Sequence, residues 1–345
     1  MIENLKTGRQ LWIIDVIHFE PTVSCMRIVV LDAGTIQLED SAWDRLRTLG
    51  DLILHEKTDK TLEAITERCQ GATVVLTNKV PMERCVMEAL PDLKLISALA
   101  TGYNLIDVLA AKEQGIVVNN VPAYSTDAVA QHTLSLILAF TNRVSEHTQS
   151  VHSGDWVRSP YFWYATDRIV ELSDLTVGIV GFGEIGRRVG ALLHALGARV
   201  IVHTRTERDR PDWDGFAYVS QDELFAQSDV VTLHCPLTAT NAGFVNADSL
   251  KRMKPGAFLI NTSRGPLVNE RDLAHALNEG IIAGAGLDVV SVEPMAEDCP
   301  LLGAKNCLIT PHIGWASERA RKRLLHETAE NIQAFLDGKP RNVVS

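Results

Sequence analysis

The chain has 345 residues, is 46% hydrophobic and 22% charged, and carries a formal net charge of −10. That length suits two domains, each large enough to bury its own core, and the acidic balance excludes a broad basic footprint for nucleic acid or an anionic membrane. No apolar stretch is long and uncharged enough to span a bilayer, and the six cysteines, which form no C-x-x-C pair, read as free thiols of a reducing, cytoplasmic setting rather than as a disulfide frame or metal site.

The first 25 residues hold an apolar patch from Leu11 to Ile17, broken by Asp15, without the basic start or cleavage site of a signal peptide. Strand-like sequence begins at Met26-Arg27-Ile28-Val29-Val30-Leu31. Met26 therefore reads as the functional start, and residues 1–25 as an upstream extension, either disordered or packed as an added strand. From Met26 short apolar runs alternate with helix-period segments. Strands are expected near 27–31, 52–55, 73–77, 94–99 and 116–119, and helices near 41–49, 60–69, 82–89 and 104–114, with Gly71 and Gly115 at helix ends. This is the alternation of a parallel, doubly wound sheet.

Ser125-Thr126-Asp127 offers several N-cap residues before a long apolar helix expected from Ala128 to about Ser150. Such a helix is too apolar to lie in solvent, so it bridges domains or packs on another subunit. An aromatic loop with Trp156, Tyr161, Phe162, Trp163 and Tyr164 leads to Val177-Gly178-Ile179-Val180-Gly181-Phe182-Gly183-Glu184-Ile185-Gly186. This reads as strand, tight turn and helix start. Gly181 serves the turn, Gly183 the approach of a pyrophosphate to bare backbone, and Gly186 close packing of helix on strand, while the helix N-terminus favours the phosphate charge. The alternation then resumes, with strands near 199–203, 229–233, 257–261, 282–287 and 307–310. Asn246 and Asn269 read as helix caps, Gly280 as a stop, and a last helix runs from Ala316 to Leu336 before Gly338. The fold class is α/β, with two doubly wound parallel-sheet domains. A return of the last helix to the first domain makes that domain discontinuous.

Ligands of open parallel sheets bind beyond the carboxyl ends of the strands. Three such ends of the second system are chemically loaded: Asn261-Thr262-Ser263-Arg264-Gly265, Asp288 to Pro294 with Glu293, and Thr310-Pro311-His312-Ile313-Gly314-Trp315. Singly, Arg264 is readable as a surface ion pair, Glu293 as a turn residue and His312 as a loop histidine. Together they suit redox chemistry on a 2-keto or 2-hydroxy acid. A guanidinium fork holds a carboxylate and polarises a carbonyl, and a histidine kept protonated by a neighbouring carboxylate delivers a proton as hydride arrives on carbon.

From Met26 to the C-terminus the chain resembles the D-2-hydroxyacid dehydrogenases. The resemblance lies in Ala100-Thr101-Gly102-Tyr103-Asn104-Leu105-Ile106-Asp107, the glycine motif, His234-Cys235-Pro236-Leu237-Thr238, Met253-Lys254-Pro255-Gly256-Ala257, Asn261 to Gly265, Gly286-Leu287-Asp288-Val289 and Pro311-His312-Ile313-Gly314. Tyr124 to His132 and the aromatic loop 161–164 are most similar to the glycerate dehydrogenases, or hydroxypyruvate reductases. The resemblance implies a Rossmann dinucleotide-binding domain, residues 126–316, inserted in a flavodoxin-like substrate domain, residues 26–125 and 317–345. It implies Arg264 as the substrate-binding and polarising residue, Glu293 as partner of His312, and His312 as proton donor. It also implies substrate contacts at Thr101 and Gly102, and cofactor contacts at Gly181, Gly183, Glu184, Ile185, Gly186, Cys235, Pro236, Thr262, Ser263, Asp288, His312 and Gly314. A small 2-keto or 2-hydroxy acid substrate and a homodimer built on the helix near 128–150 complete the implied picture. The alternatives are a 3-phosphoglycerate dehydrogenase without a regulatory domain, since the chain ends at Ser345, and a dinucleotide-sensing protein of the corepressor type.

One position departs from the NAD pattern. The acid that accepts from the ribose 2′-OH, expected about 20 residues after the glycines, is replaced by Thr204 with Arg205 beside it. No carboxylate then repels a 2′-phosphate and Arg205 can pair with it, so NADP(H) is expected over NAD(H), with NAD(H) as the alternative.

Overall fold

The computed structural model describes residues 26–344, so the expectation for residues 1–25 lies outside the described residues. The chain forms two compact units, which divide between Pro122 and Ala123 and again between Arg321 and Lys322.

In the first unit, β1 (Arg27–Val30), β2 (Asp51–Leu54), β3 (Val74–Thr77), β4 (Leu95–Ala98) and β5 (Val117–Asn119) form a parallel sheet in the order β2-β1-β3-β4-β5. Strands β3 and β4 are buried throughout, as an apolar run without alternation requires when both faces are covered. The helices are α1 (Asp44–Arg47), α2 (Leu62–Arg68), α3 (Arg84–Glu88) and α4 (Val108–Glu113). Thr61 caps α2 by accepting from the Ala64 N–H, and Asp107 caps α4 by accepting from the Ala110 N–H. Gly71 and Gly115, both at φ +71°, follow α2 and α4 as expected.

The second unit holds α5 (Thr126–Asn142), α6 (Val144–His152), α7 (Asp155–Arg158), β6 (Thr176–Val180), α8 (Glu184–Ala195), β7 (Arg199–His203), β8 (Ala217–Tyr218), α9 (Gln221–Gln227), β9 (Val230–Leu233), α10 (Ala247–Arg252), β10 (Phe258–Asn261), α11 (Glu270–Asn278), β11 (Gly284–Leu287) and β12 (Cys307–Ile309). Its seven strands are parallel, in the order β12-β11-β10-β9-β6-β7-β8. Asn246 and Asn269 cap α10 and α11. The last helix, α12 (Glu318–Leu336), contributes its residues from Lys322 onward to the first unit, where the Asn331 amide donates to the Asn120 carbonyl at 2.9 Å.

The single helix expected from Ala128 to about Ser150 is two helices. Arg143 is left-handed (φ 49°, ψ 43°) and separates α5 from α6. The break has tertiary causes that periodicity does not register. Arg143 still closes α5 locally, its N–H on the Ala139 carbonyl, but the returning chain at Val170 donates to the Thr141 carbonyl and the Arg143 guanidinium reaches Asp167 at 2.9 Å. Ser125 stands at the α5 N-cap but makes no side-chain capping bond, so the run of cap residues does less than expected there. Strand β8, two residues long, is too short to carry a periodic signal. The face of α5 that contains Leu136, Ile137 and Phe140 is buried, and Phe140 stacks on Phe258 of β10 with ring centroids 4.7 Å apart.

Candidate active site

The glycine turn joins β6 to α8. Gly181 sits at φ +91°, and a Cβ there would lie 2.7 Å from the Cys235 nitrogen, so the turn needs both the conformation and the slimness of glycine. A Cβ on Gly186 would stand 2.2 Å from the Gly181 carbonyl oxygen and 3.4 Å from Ile179, so this glycine lets the first helical turn close over its own loop as well as over the strand. Gly183 is different, because a Cβ there meets nothing within 4 Å. It is also the N-cap of α8, and no side chain caps that end. The first N–H groups of a helix lack intrahelical partners, so this end offers open space, bare backbone donors and a positive dipole end. These residues fit the pyrophosphate of a dinucleotide.

At the end of β7, His203 is followed by Thr204 and an exposed Arg205. Arg187 of α8 ties down the following loop by donating to the Asp209 carbonyl at 2.9 Å and the Arg208 carbonyl at 2.6 Å, and its guanidinium lies 4.7 Å from the Phe182 ring centroid. Cys235, after β9, is half-buried. Burial raises its thiol pKa, and the positive charge of Arg205 opposes that shift.

The three loaded strand ends lie side by side, because β10, β11 and β12 are neighbours in the sheet. His312 Nδ1 and Glu293 Oε2 are 2.6 Å apart, and the Val290 N–H donates to Glu293 Oε1 at 3.3 Å, so both carboxylate oxygens are engaged. Burial lowers the pKa of Arg264 from its ordinary value, while Glu293 and Tyr124 push it back up. Its main chain is braced by Asn261, whose amide donates to the Arg264 carbonyl at 2.9 Å and whose Oδ1 accepts from the Ser263 N–H at 3.0 Å. Gly265 permits the loops to touch, since a Cβ on it would lie 2.0 Å from the Val290 carbonyl carbon. Ser263 Oγ donates to the Cys235 carbonyl at 2.6 Å, and the Thr262 and Thr133 hydroxyls are 2.9 Å apart. The β9, β10 and β11 ends and α5 are thereby tied together.

Asp288 is only 2% exposed and holds the His312 loop. It accepts from Thr310 Oγ1 at 2.6 Å and from the Ile313 and Gly314 N–H groups at 2.8 Å each, with His132 Nε2 at 3.3 Å. Burial alone would raise its pKa, and the hydrogen bonds outweigh burial and leave it lowered. Within this loop the His312 N–H donates to the Thr310 carbonyl at 2.9 Å, closing a turn over Pro311, and His312 takes φ +55°. In the first unit, the Thr101 hydroxyl donates to the Val121 carbonyl at 2.9 Å and the Thr101 carbonyl accepts from Asn120 at 2.6 Å, so both its side chain and its carbonyl are engaged within that unit.

Sequence reasoning singled out neither Asn261, His132, Thr310 nor Tyr124 as site residues. A polar residue closing an apolar strand, as Asn261 closes Phe258-Leu259-Ile260, was a readable signal. His132 and Tyr124 lie far from the strand ends in sequence, and only the tertiary structure brings them there. Tyr124 packs edge-on to Trp315, and burial drives its hydroxyl well above the ordinary tyrosine range.

The family model described as D-isomer specific 2-hydroxyacid dehydrogenase, NAD binding domain, matches residues 134–314. A hydroxypyruvate reductase from Blautia hydrogenotrophica is 44% identical over 321 residues, covering 93% of this chain and 100% of that protein. A glycerate dehydrogenase from Methylorubrum extorquens is 41% identical, covering 82% of this chain and 89% of that protein. Among solved structures, the NADPH-dependent glyoxylate/hydroxypyruvate reductase of Sinorhizobium meliloti, in complex with NADP and malonate, is similar at a TM-score of 0.80 and 30% identity, covering 93% of this chain and 97% of that one.

The lowered pKa of Asp288 makes a prediction about acid stability. Its stabilising contribution is fully present above the unfolded aspartate pKa of about 3.9 and is lost as pH falls through the lower folded value. Asp288→Asn is expected to cost about 1–3 kcal/mol at neutral pH, the scale of leaving buried donors poorly paired. The gap between the urea midpoints of wild type and variant is expected to narrow between pH 5 and pH 3. An equal gap at both ends would show that the carboxylate charge does not brace the loop.

Proposed function

The chain belongs to the D-isomer specific 2-hydroxyacid dehydrogenase family, and we propose that it reduces small 2-keto acids, hydroxypyruvate and glyoxylate foremost, to D-2-hydroxy acids. The observation that carries the chemistry is the 2.6 Å contact between His312 Nδ1 and Glu293, on a strand end next to that of Arg264. A nicotinamide dinucleotide, when bound, supplies hydride to the substrate's carbonyl carbon. Glu293 occupies Nδ1 of His312, so Nε2 is the nitrogen that gives its proton to the carbonyl oxygen. The Val290 N–H donates to the other carboxylate oxygen and keeps Glu293 from turning away from the ring. Arg264 binds the substrate carboxylate through its planar fork and polarises the carbonyl beside it. In the first unit, the backbone donors at Thr101-Gly102 suit a carboxylate.

The dinucleotide contacts assigned by this reading are Gly181, Gly183, Glu184, Ile185, Gly186, Thr204, Arg205, Cys235, Pro236, Thr262, Ser263, Asp288, His312 and Gly314. NADPH is the preferred cofactor. Support comes from Thr204 standing where a carboxylate is expected at the end of β7, from the exposed Arg205 beside it, and from the loop that Arg187 anchors. The functional form is a homodimer. Val144, Trp156, Val157, Tyr161, Phe162 and Trp163 are exposed between 52% and 90%, a concentration of apolar surface that self-association would cover. For location the reading is a reducing, cytoplasmic setting, supported by Cys69, Cys85, Cys235, Cys299 and Cys307 being free.

Turnover measured on hydroxypyruvate, glyoxylate, pyruvate, phenylpyruvate and 3-phosphohydroxypyruvate is expected to favour the first two. His312→Asn is expected to lower kcat by about 10²–10⁴-fold, the usual worth of a positioned acid. Absence of turnover on every acid of the panel would sink the enzymatic reading. For the cofactor, kcat/KM is expected to be higher with NADPH, and Arg205→Ala should cut that advantage about tenfold, the loss of one exposed charge-assisted pair. Better kinetics with NADH in the wild type would reverse the assignment. Sedimentation at twice the chain mass, reduced to the monomer by Phe162→Glu with Val157→Glu, is the expected behaviour of the dimer. A wild-type monomer at micromolar concentration rules it out.

A further inference from the structure

His132 lies on α5, away from the strand ends in sequence, with its side chain 18% exposed. Its Nε2 stands 2.9 Å from Thr310 Oγ1 and 3.3 Å from Asp288 Oδ1. The Thr310 hydroxyl has one proton, and the ionised Asp288 carboxylate at 2.6 Å can only accept it. The Thr310 oxygen therefore meets His132 with a lone pair, which places a proton on His132 Nε2. The bonds run from His132 N–H to Thr310, and from Thr310 O–H to Asp288. Asp288 in turn holds the Ile313 and Gly314 N–H groups. His312 is thus anchored on both sides, by Thr310 before it and by Ile313-Gly314 after it. Its φ of +55° is one that a non-glycine residue keeps only where its surroundings impose it. Around His132, α5 buries Val129, Thr133, Leu136 and Ile137, so an apolar side chain would suit simple packing. A histidine there is explained by the donor it provides.

We infer that His132 is a positioning residue for the reaction, which by donating to Thr310 orients the hydroxyl that joins the His312 loop to Asp288 and so keeps His312 on Glu293. The inference rests on the reading of His312 as proton donor. It predicts that the loss falls on the chemical step, because Arg264 is carried by a different strand end and is braced by Asn261.

The test compares His132→Leu, His132→Gln, Thr310→Val and the double variant His132→Leu/Thr310→Val in steady-state kinetics with hydroxypyruvate, alongside thermal melts. His132→Leu is expected to lower kcat about 10- to 100-fold, the scale of a small misplacement of a reacting group, with the substrate KM changed less than about twofold. His132→Gln retains an N–H donor and is expected to recover most of that loss. The double variant is expected to be no worse than the poorer single variant, because both changes cut the same chain of bonds. A folded His132→Leu protein with wild-type kcat, or a His132→Gln protein as impaired as the leucine variant, overturns the inference. If the leucine variant does not fold, Thr310→Val decides, and an unchanged kcat there overturns it equally. An inactive His312→Asn beside a fully active His132→Leu removes the positioning role alone, whereas an active His312→Asn removes the proton-donor reading beneath it.

Discussion

A carboxylate that is 2% exposed remains charged only where fixed donors replace its water, and this constraint on Asp288 organises the second unit. Its donors come from β12's end, from the loop beyond it and from α5, so meeting the electrostatic demand of one side chain ties a helix to two strand ends. A hydrophobic residue of similar volume would avoid the desolvation cost, but it would supply no reason for Ile313 and Gly314 to point their N–H groups inward. The loop that bears His312 would then be held only by the short turn over Pro311. What a buried charge costs in stability, it returns here as definition of a loop geometry that van der Waals packing alone does not specify.

The doubly wound architecture was legible because it follows from local rules. Apolar runs such as Val74-Val75-Leu76 and Val230-Val231 have no alternation, so they belong to sheets covered on both faces, and glycines such as Gly71 and Gly115 stand where a helix ends left-handed. The placement of Arg264, Glu293 and His312 was legible for a similar reason. In a parallel sheet every strand ends at the same edge, so residues that follow three strands share one rim whatever lies between them in the chain. The tighter statement, that Glu293 lies against Nδ1 of His312 while its other oxygen accepts from Val290, depends on loop conformations that no periodicity encodes.

The failure at Arg143 has the same origin seen from the other side. Propensity and apolar spacing continue across Asn142-Arg143-Val144, and nothing local stops a helix there. The stop is imposed by groups far along the chain, the Val170 N–H and the Asp167 carboxylate, which take the Thr141 carbonyl and the Arg143 side chain. Helical stability in proteins comes mostly from tertiary packing, so a helix can be ended by tertiary partners as readily as it is sustained by them. The same reasoning applies to His132, whose spacing on α5 marks it as a residue of an apolar helix while its partners lie on the ends of β11 and β12.

The glycine motif and the loop after β7 are legible through different kinds of information. Gly181 and Gly186 have no side chain to strike the Cys235 backbone or their own loop, and Gly183 leaves open space at the start of α8, so the motif is readable in one dimension. For the proposed 2′ contact the requirement is for charge of one sign and the absence of the other, and there Thr204 and Arg205 speak through composition alone. Arg187 turns that composition into geometry. It packs on Phe182 of the glycine turn and binds the carbonyls of Arg208 and Asp209, so the loop after β7 is anchored to the glycine turn and α8. A loop tethered in this way loses less conformational entropy on meeting a ligand than a free one does. In the proposed NADPH reading, discrimination at the 2′ position depends on how well that loop is held as well as on which residue ends the strand.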